Sequence, residues 1–282
     1  MHTTVNRIST LAMYAFLCIV LVFALMPLVF VLFASFKSNQ EILAHASRLL
    51  PIEWTFQNYK EAWTLANFKR YTWNSVYMTA FIVFGTLLVS TMAGYVFARG
   101  RFPGKATLFA AFTATMFLSF GSITLYPLLQ IAKILHLNTS LWGVIVISIF
   151  GMHIANIFII RSFVNSIPYE VDEAAIIDGC SFFRTFWNII LPLMKPVIAT
   201  IGIITFKYAW NEFLLPMVFT LSNPDQRPLS VGIVALRSAG EAASSWNLML
   251  AGTMLSVVPM LAVYLILNRY FVAGLTSGAI KG

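Results

Sequence analysis

Lys207, Tyr208, Trp210, Asn211 and Glu212 crowd into one stretch of an otherwise apolar run. At membrane depth an ionisable side chain costs about 2.5 to 3.5 kcal/mol on insertion scales, so these residues must face protein or water. Helical spacing puts Lys207 with Asn211, and Tyr208 with Glu212, on two shared faces. Tyr208, Trp210 and Asn211 supply an aromatic plate beside neutral donors and acceptors. That chemistry holds a polar solute by stacking and hydrogen bonding, with no covalent step. Lys207 and Glu212 serve equally well as interhelical bonds or as ties on a gate. His153 and Asn156 share a face at i, i+3 in another apolar run. They are either solute contacts or interhelical polar contacts, which peptide measurements place at about 1 to 2 kcal/mol each.

Other chemistry lacks its residues. Gly100-x-x-x-Gly104-Lys105-Ala106 has the wrong spacing for a phosphate-binding loop, and Ala106 stands where Ser or Thr would hold magnesium. The hydrolase signatures His-Glu-x-x-His and Gly-x-Ser-x-Gly are absent, as is a buried carboxylate pair. The four histidines have no metal-ligand spacing, and Cys18 and Cys180 fall in different environments and cannot pair. The chain is therefore expected to bind no metal and no cofactor of its own, and to draw energy from another chain.

The elements that position these residues are membrane spans. Hydrophobic residues make up 59% of the chain and charged residues 10%, against about 25% charged in soluble domains. The formal charge of +8 fits basic residues flanking apolar spans better than it fits nucleic acid. Apolar runs predict six spans: Leu11 to Phe36 (with tilt or a kink at Pro27), Trp73 to Ala98, Thr107 to Ile131, Leu141 to Ile160, Val197 to Phe219 and Leu248 to Asn268. The first is too long for a signal-peptide core and lacks a small-x-small cleavage site, so it is expected to be retained. Aromatic residues in the loop Lys37 to Thr72 suit interfacial helices. The short loop Arg99 to Lys105 has three basic residues and no acidic one, which places it, residues 161–196 and both termini in the cytoplasm. Basic residues are otherwise shared almost evenly between the two sides.

The interval 161–196 reads as built. Pro168 fits a first helical turn, Glu170, Asp172 and Glu173 face the positive end of the helix dipole, and Gly179 supplies a left-handed stop. Ser181 can cap a second helix with Phe182, Phe183, Phe186, Trp187, Ile190 and Leu191 on one side, ended by Pro192 and Pro196. A helix lying on lipid is the other reading, but such helices carry Lys and Arg on the polar face. Here that face is acidic.

Glu173-Ala174-Ala175-x-x-Asp178-Gly179, with Leu191-Pro192 downstream, resembles the EAA loop of ABC importer permeases. It departs at Cys180, where a small Ala usually follows, and another small apolar residue fits. Phe56-Gln57-Asn58-Tyr59, Trp73-Asn74-Ser75, Gly94 to Gly104, Trp210-Asn211-Glu212-Phe213, Pro228 to Gly232 and the tail Gly274 to Gly282 are similar to the sugar-importer branch, in particular its maltose-type second permease subunit. The ordered set covers nearly the whole chain after about residue 50.

The resemblance implies an all-α integral membrane protein of the type I ABC importer fold, with residues 1–10 and a tail 269–282 flanking a permease domain 11–268. It implies a heterodimer with a second permease, two ATPase subunits that bind ATP and magnesium, an extracytoplasmic solute-binding protein and a sugar cargo, in a bacterial or archaeal plasma membrane. It assigns Glu170, Glu173, Ala174, Ala175, Asp178 and Gly179 to the ATPase contact, and Gly278, Lys281 and Gly282 to a tail entering the ATPase interface. Small residues there let an extended backbone approach a groove closely. The Trp-Asn-Glu run recurs in permeases of differing sugar specificity, which favours a structural role for Glu212. Two alternatives remain: import of another small polar solute, and an ion-coupled carrier using Lys207 and Glu212. The second normally shows paired broken helices, which the sequence does not display, and has no use for a docked helical knob.

Overall fold

Apolar runs set where this chain is helical, and prolines and glycines set where the helices stop. The computed structural model describes residues 2–65, 67–118, 121–151, 153–237 and 245–279, with side chains described from 10 to 266 apart from Leu65. In chain order the helices begin with α1 (His2–Ala34), α2 (Asn39–Ala44), α3 (Gln57–Leu65) and α4 (Phe68–Arg99). Next come α5 (Lys105–Thr115), a 3-10 turn Gly121–Thr124, α6 (Leu125–Ile134), α7 (Leu141–Phe150), α8 (Ile154–Ser166) and α9 (Glu170–Ile177). Then α10 (Phe182–Thr185), a π turn Phe186–Ile190, α11 (Leu191–Leu193), α12 (Lys195–Asn211) and α13 (Leu214–Phe219) follow. A 3-10 turn Pro224–Gln226, α14 (Leu229–Leu236) and α15 (Trp246–Ala279) complete the order. All regular structure among the described residues is helical.

Among the described residues, three helices are long and apolar enough to cross a membrane, through Thr10–Ala34, Phe68–Arg99 and Trp246–Ile266. Two bent pairs, α7 with α8 at 43° and residues 182–193 with α12 at 79°, raise the number to five if each is one span. The expected third span is not one helix. Gly121 adopts φ +53°, and the ring of Pro127 excludes the carbonyl of Ile123 from regular helix, so α5 and α6 are separate. The expected fifth span breaks at Glu212, whose ψ is 125°. Pro216 explains that break, because its ring occupies the space of the carbonyl four residues back. The carbonyl of Glu212 instead accepts from the Ser230 hydroxyl at 2.7 Å. By contrast α1 continues through Pro27.

The chain divides into two units. One comprises the chain up to Lys69 together with Gly232–Val258. In it the Asn58 amide donates to the carbonyls of Ser35 and Lys37, both at 2.8 Å, and accepts from Asn247 at 2.8 Å. Phe36 packs against Trp54, Phe56 and Tyr59 with ring centroids 5.1 to 5.4 Å apart. The Lys37 ammonium, buried, donates to the carbonyl of Arg48.

The other unit comprises Arg70–Val231 and the chain from Pro259. At the start of α4, Asn74 donates to the carbonyls of Asp225 and Arg227, both at 2.9 Å, and the Ser75 hydroxyl accepts from the Leu229 amide at 2.7 Å. Two apolar clusters follow. Met78, Ile82, Leu141, Ile145, Leu215 and Phe219 join the first part of α4 to α7 and α13. Tyr95, Ile160, Val164, Phe186, Ile190 and Ile201 join its last part to α8, the π turn and α12. Small residues let helices approach closely in a membrane. A Cβ on Gly94 would collide with the side chain of Ile160. Gly94→Val is therefore expected to lower stability by about 1 to 3 kcal/mol through overpacking. An unchanged melting temperature in detergent would show that α4 and α8 do not meet there.

Candidate functional site

The interval between α8 and α12 folds as a short helix, a turn and a second helix, and each stop has a local cause. Glu170, Asp172 and Glu173 occupy the first turn of α9. The Gly179 amide donates to Ile176 O at 3.0 Å and the Cys180 amide to Ala175 O at 2.9 Å, a pair of bonds that closes a helix on a left-handed residue. Gly179 has φ +79°. The Ser181 side chain then accepts from the Arg184 amide at 3.4 Å and caps the second helix. That helix does not stop at Pro192. It widens into the π turn, which absorbs the missing proline donor, and the chain turns by 79° into α12.

Arg99, the last residue of α4, holds this assembly. Its Nε donates to Asp172 Oδ2 at 2.8 Å with side chains only 9% and 7% exposed. Its second amino group donates to Ile167 O at 2.7 Å, and its guanidinium lies 5.4 Å from the Tyr169 ring centre. Tyr95 packs on Phe182 and Phe186, with centroids 4.6 and 5.1 Å away. Nearby, Arg161 donates to Phe97 O at 3.2 Å and covers the Phe109 ring at 3.9 Å. Burial, then Arg161 and Arg99, push the pKa of Lys105 below its ordinary value.

The six residues assigned to this contact divide by exposure. Glu170, Glu173, Ala174, Asp178 and Gly179 are exposed, whereas Ala175 is buried. Ile177 is 85% exposed, which makes it the apolar tip of the turn, beside Ile176 and Phe183. The apolar side expected for the second helix is split by the π turn. Phe186 and Ile190 root it in the bundle, while Phe183 and Trp187 point outward. In the sequence Asp172 and Arg99 read only as dipole and topology signals. An acid at an inward position of α9 and a basic residue ending α4 are the available clue to their pairing.

The second candidate region lies where helices break. A cavity of about 550 Å³ is lined by Ser122, Thr124, Ser148, His153, Tyr208 and Glu212, together with Gly121, Gly151 and apolar side chains. Three interruptions meet there: the 3-10 turn before α6, the α7–α8 bend and the α12–α13 break. Irregular backbone at membrane depth is tolerated where it is buried in protein or lines a water-filled cavity. Tyr208 and Glu212 both line this cavity, as their shared face predicts. Glu212 Oε1 also accepts from the Leu215 amide at 3.2 Å, and so caps α13. The ring of His153 reaches Ser148 O at 2.5 Å and Thr86 Oγ1 at 3.4 Å.

The other candidate solute contacts fall elsewhere. Trp210 is buried and stacks on Phe206 at 5.7 Å. Asn211 donates to Lys207 O at 2.8 Å and meets Met260 Sδ at 3.9 Å. Asn156, buried, borders a second cavity of about 550 Å³ with His153, Thr115 and Met116. In the expected tail, Gly278 lies in α15, whose backbone is helical to Ala279 instead of extended. Extending an existing helix adds one hydrogen bond per residue with no new nucleation cost. Lys281 and Gly282 lie outside the described residues.

Comparison with known proteins bears on both regions. Residues 87–277 match the family described as "Binding-protein-dependent transport system inner membrane component". The chain is 32% identical over 275 residues to the probable ABC transporter permease protein YurM of Bacillus subtilis, covering 98% of this chain and 90% of that protein. It is 33% identical over 273 residues to the arabinooligosaccharides transport system permease protein AraQ of Halalkalibacterium halodurans, covering 95% and 94%. Among solved structures, a chain of a bacterial ABC transporter involved in the import of the acidic polysaccharide alginate superposes with a TM-score of 0.79 at 23% identity, covering 94% of this chain and 97% of that one.

Proposed function

Since the chain belongs to the binding-protein-dependent transport system inner membrane components, the non-catalytic permeases of ABC importers, we propose that it forms half of the translocation path of a sugar importer. Membership implies a partner ATPase and a solute-binding protein. The finer arrangement is our reading: a heterodimer with a second permease, two ATPase subunits carrying ATP and magnesium, both termini in the cytoplasm, and six crossings of which the third is made by α5 and α6. Sugar as cargo is supported by relatives such as the arabinooligosaccharide permease.

The single observation that carries the coupling role is a buried-root, exposed-tip helical turn clamped to the end of α4 through Arg99 and Asp172. Glu170, Glu173 and Asp178 surround the apolar tip with negative charge, a surface for a basic-rimmed apolar cleft. ATP-driven closure of that cleft would pull on α9, and the Arg99 pair would pass the displacement to α4. The Gly278 to Gly282 tail would add a second contact to the ATPase.

In vesicles holding the full complex, uptake is expected to require ATP and to ignore imposed proton or sodium gradients. With Cys18→Ser and Cys180→Ser as background, Ile177→Cys should cross-link to the ATPase subunit. Gradient-driven uptake without ATP would return the assignment to an ion-coupled carrier. An Ile177→Cys variant whose new thiol reacts only with water-soluble reagents, and never with the ATPase, would remove the docking role.

A further inference from the structure

The cavity at the three helix breaks carries a charge pattern that narrows the cargo. Its described lining includes one carboxylate, Glu212, and no Lys or Arg. The remaining polar groups are the hydroxyls of Ser122, Thr124, Ser148 and Tyr208 and the ring of His153. Thr124 already donates to Gly121 O at 3.0 Å, so its lone pairs face a ligand as acceptors. Tyr208 is half exposed and lines the cavity together with Glu212, so its ring offers an aromatic plate at the cavity wall.

Hydroxyls that both donate and accept, one negative charge and an aromatic plate suit a ligand that exchanges hydrogen bonds, presents C–H faces and carries no negative charge. We infer that this cavity is a saccharide subsite of this chain that takes a neutral sugar ring and rejects a carboxylated one, with Glu212 as the residue that sets the charge class. This rests on the importer reading above. A uronate brought beside Glu212 would place two like charges in a partly desolvated space with no cation to offset them. Recurrence of Trp-Asn-Glu among permeases of differing sugars is compatible with this role, because charge class is shared by many sugars.

The test reads equilibrium binding to the purified permease–ATPase complex without solute-binding protein or ATP, so that neither coupling nor the binding protein's own selectivity enters. The neutral probes are maltotriose, arabinotriose and galactotriose, and the charged probe is trigalacturonate. Wild type is expected to bind at least one neutral probe tenfold or more tighter than trigalacturonate. Glu212→Gln keeps an acceptor for the Leu215 amide and should shift the ratio of trigalacturonate to neutral-probe affinity about tenfold toward trigalacturonate. Tyr208→Ala should weaken the neutral probe at least tenfold. Equal binding of both classes by wild type, an unchanged ratio in Glu212→Gln, a parallel loss of both probes in that variant, or no binding of any probe would overturn the inference. Failure of ATP-driven uptake would instead strike the importer reading, and the two results are read in separate experiments.

Discussion

Asp172→Ala is expected to abolish coupled uptake and to destabilise the packing of α9 on the end of α4 by about 3 to 5 kcal/mol, the usual result of stripping one partner from a buried ion pair. The residue left behind is Arg99, whose side chain is 9% exposed and whose other bond, to Ile167 O, cannot neutralise it. Water must then enter beneath α9, or the helix must lift away. Asp172→Asn retains an acceptor but not the charge, and should fall between wild type and alanine. Arg99→Ala should reproduce the loss. The double variant should cost less than the sum of the two, with a coupling of about 0.5 to 3 kcal/mol in a thermodynamic cycle. Thermal unfolding in detergent and ATP-driven uptake are the two readouts. Strict additivity would mean that the pair is incidental to the clamp.

The second large effect is at Gly179. A Cβ added there meets nothing within 4 Å, so space is not the constraint; φ +79° is. Gly179→Ala should cost about 1 to 2 kcal/mol for a left-handed L-residue, and Gly179→Asn less. Gly179→Pro is different in kind. Its φ is fixed near −65°, and it deletes the donor that bonds Ile176 O at 3.0 Å. The turn cannot form, Ile177 loses its position, and ATP hydrolysis should no longer respond to cargo while the spans still insert. The expected order of coupled uptake is Gly, Asn, Ala, Pro. A proline variant that transports normally would remove the turn from the coupling path.

The sequence disclosed the helix–turn–helix of α9 and α10 because Pro168, Gly179 and Ser181 each have a fixed backbone meaning at a helix boundary. It disclosed less about the acids of α9. Glu170, Asp172 and Glu173 look alike on paper, and only the partner on α4, far away in the chain, decides that Asp172 turns inward. The breaks inside spans were hidden for another reason. Hydropathy averages over a window and passes smoothly across Gly121, Gly151 and Glu212, although the ring of Pro216 already forbids a regular carbonyl at Glu212. Trp210 shows the limit of composition: an aromatic beside Asn211 reads as a sugar plate, yet it packs on Phe206 while Tyr208 faces the cavity. The motif residues Asn58, Asn74 and Ser75 were visible as a signature, and the structure gives them a purpose as side-chain ties between loops and helix starts.

One of those ties bears on the mechanics of α4. The helix is unbroken from Phe68 to Arg99, fastened near one end by Asn74 and Ser75 to the 225–229 segment and at the other by Arg99 to α9. At 1.5 Å per residue the two attachments stand about 38 Å apart. Such a strut is a lever: a tilt of about 10° about one attachment would carry the other through roughly 6 to 7 Å, a distance comparable to the width of a sugar ring. The gearing of the device would then be set by where along α4 the fulcrum falls. Moving that pivot by one turn would alter the stroke by about 1 Å without changing a single residue that touches cargo or ATPase.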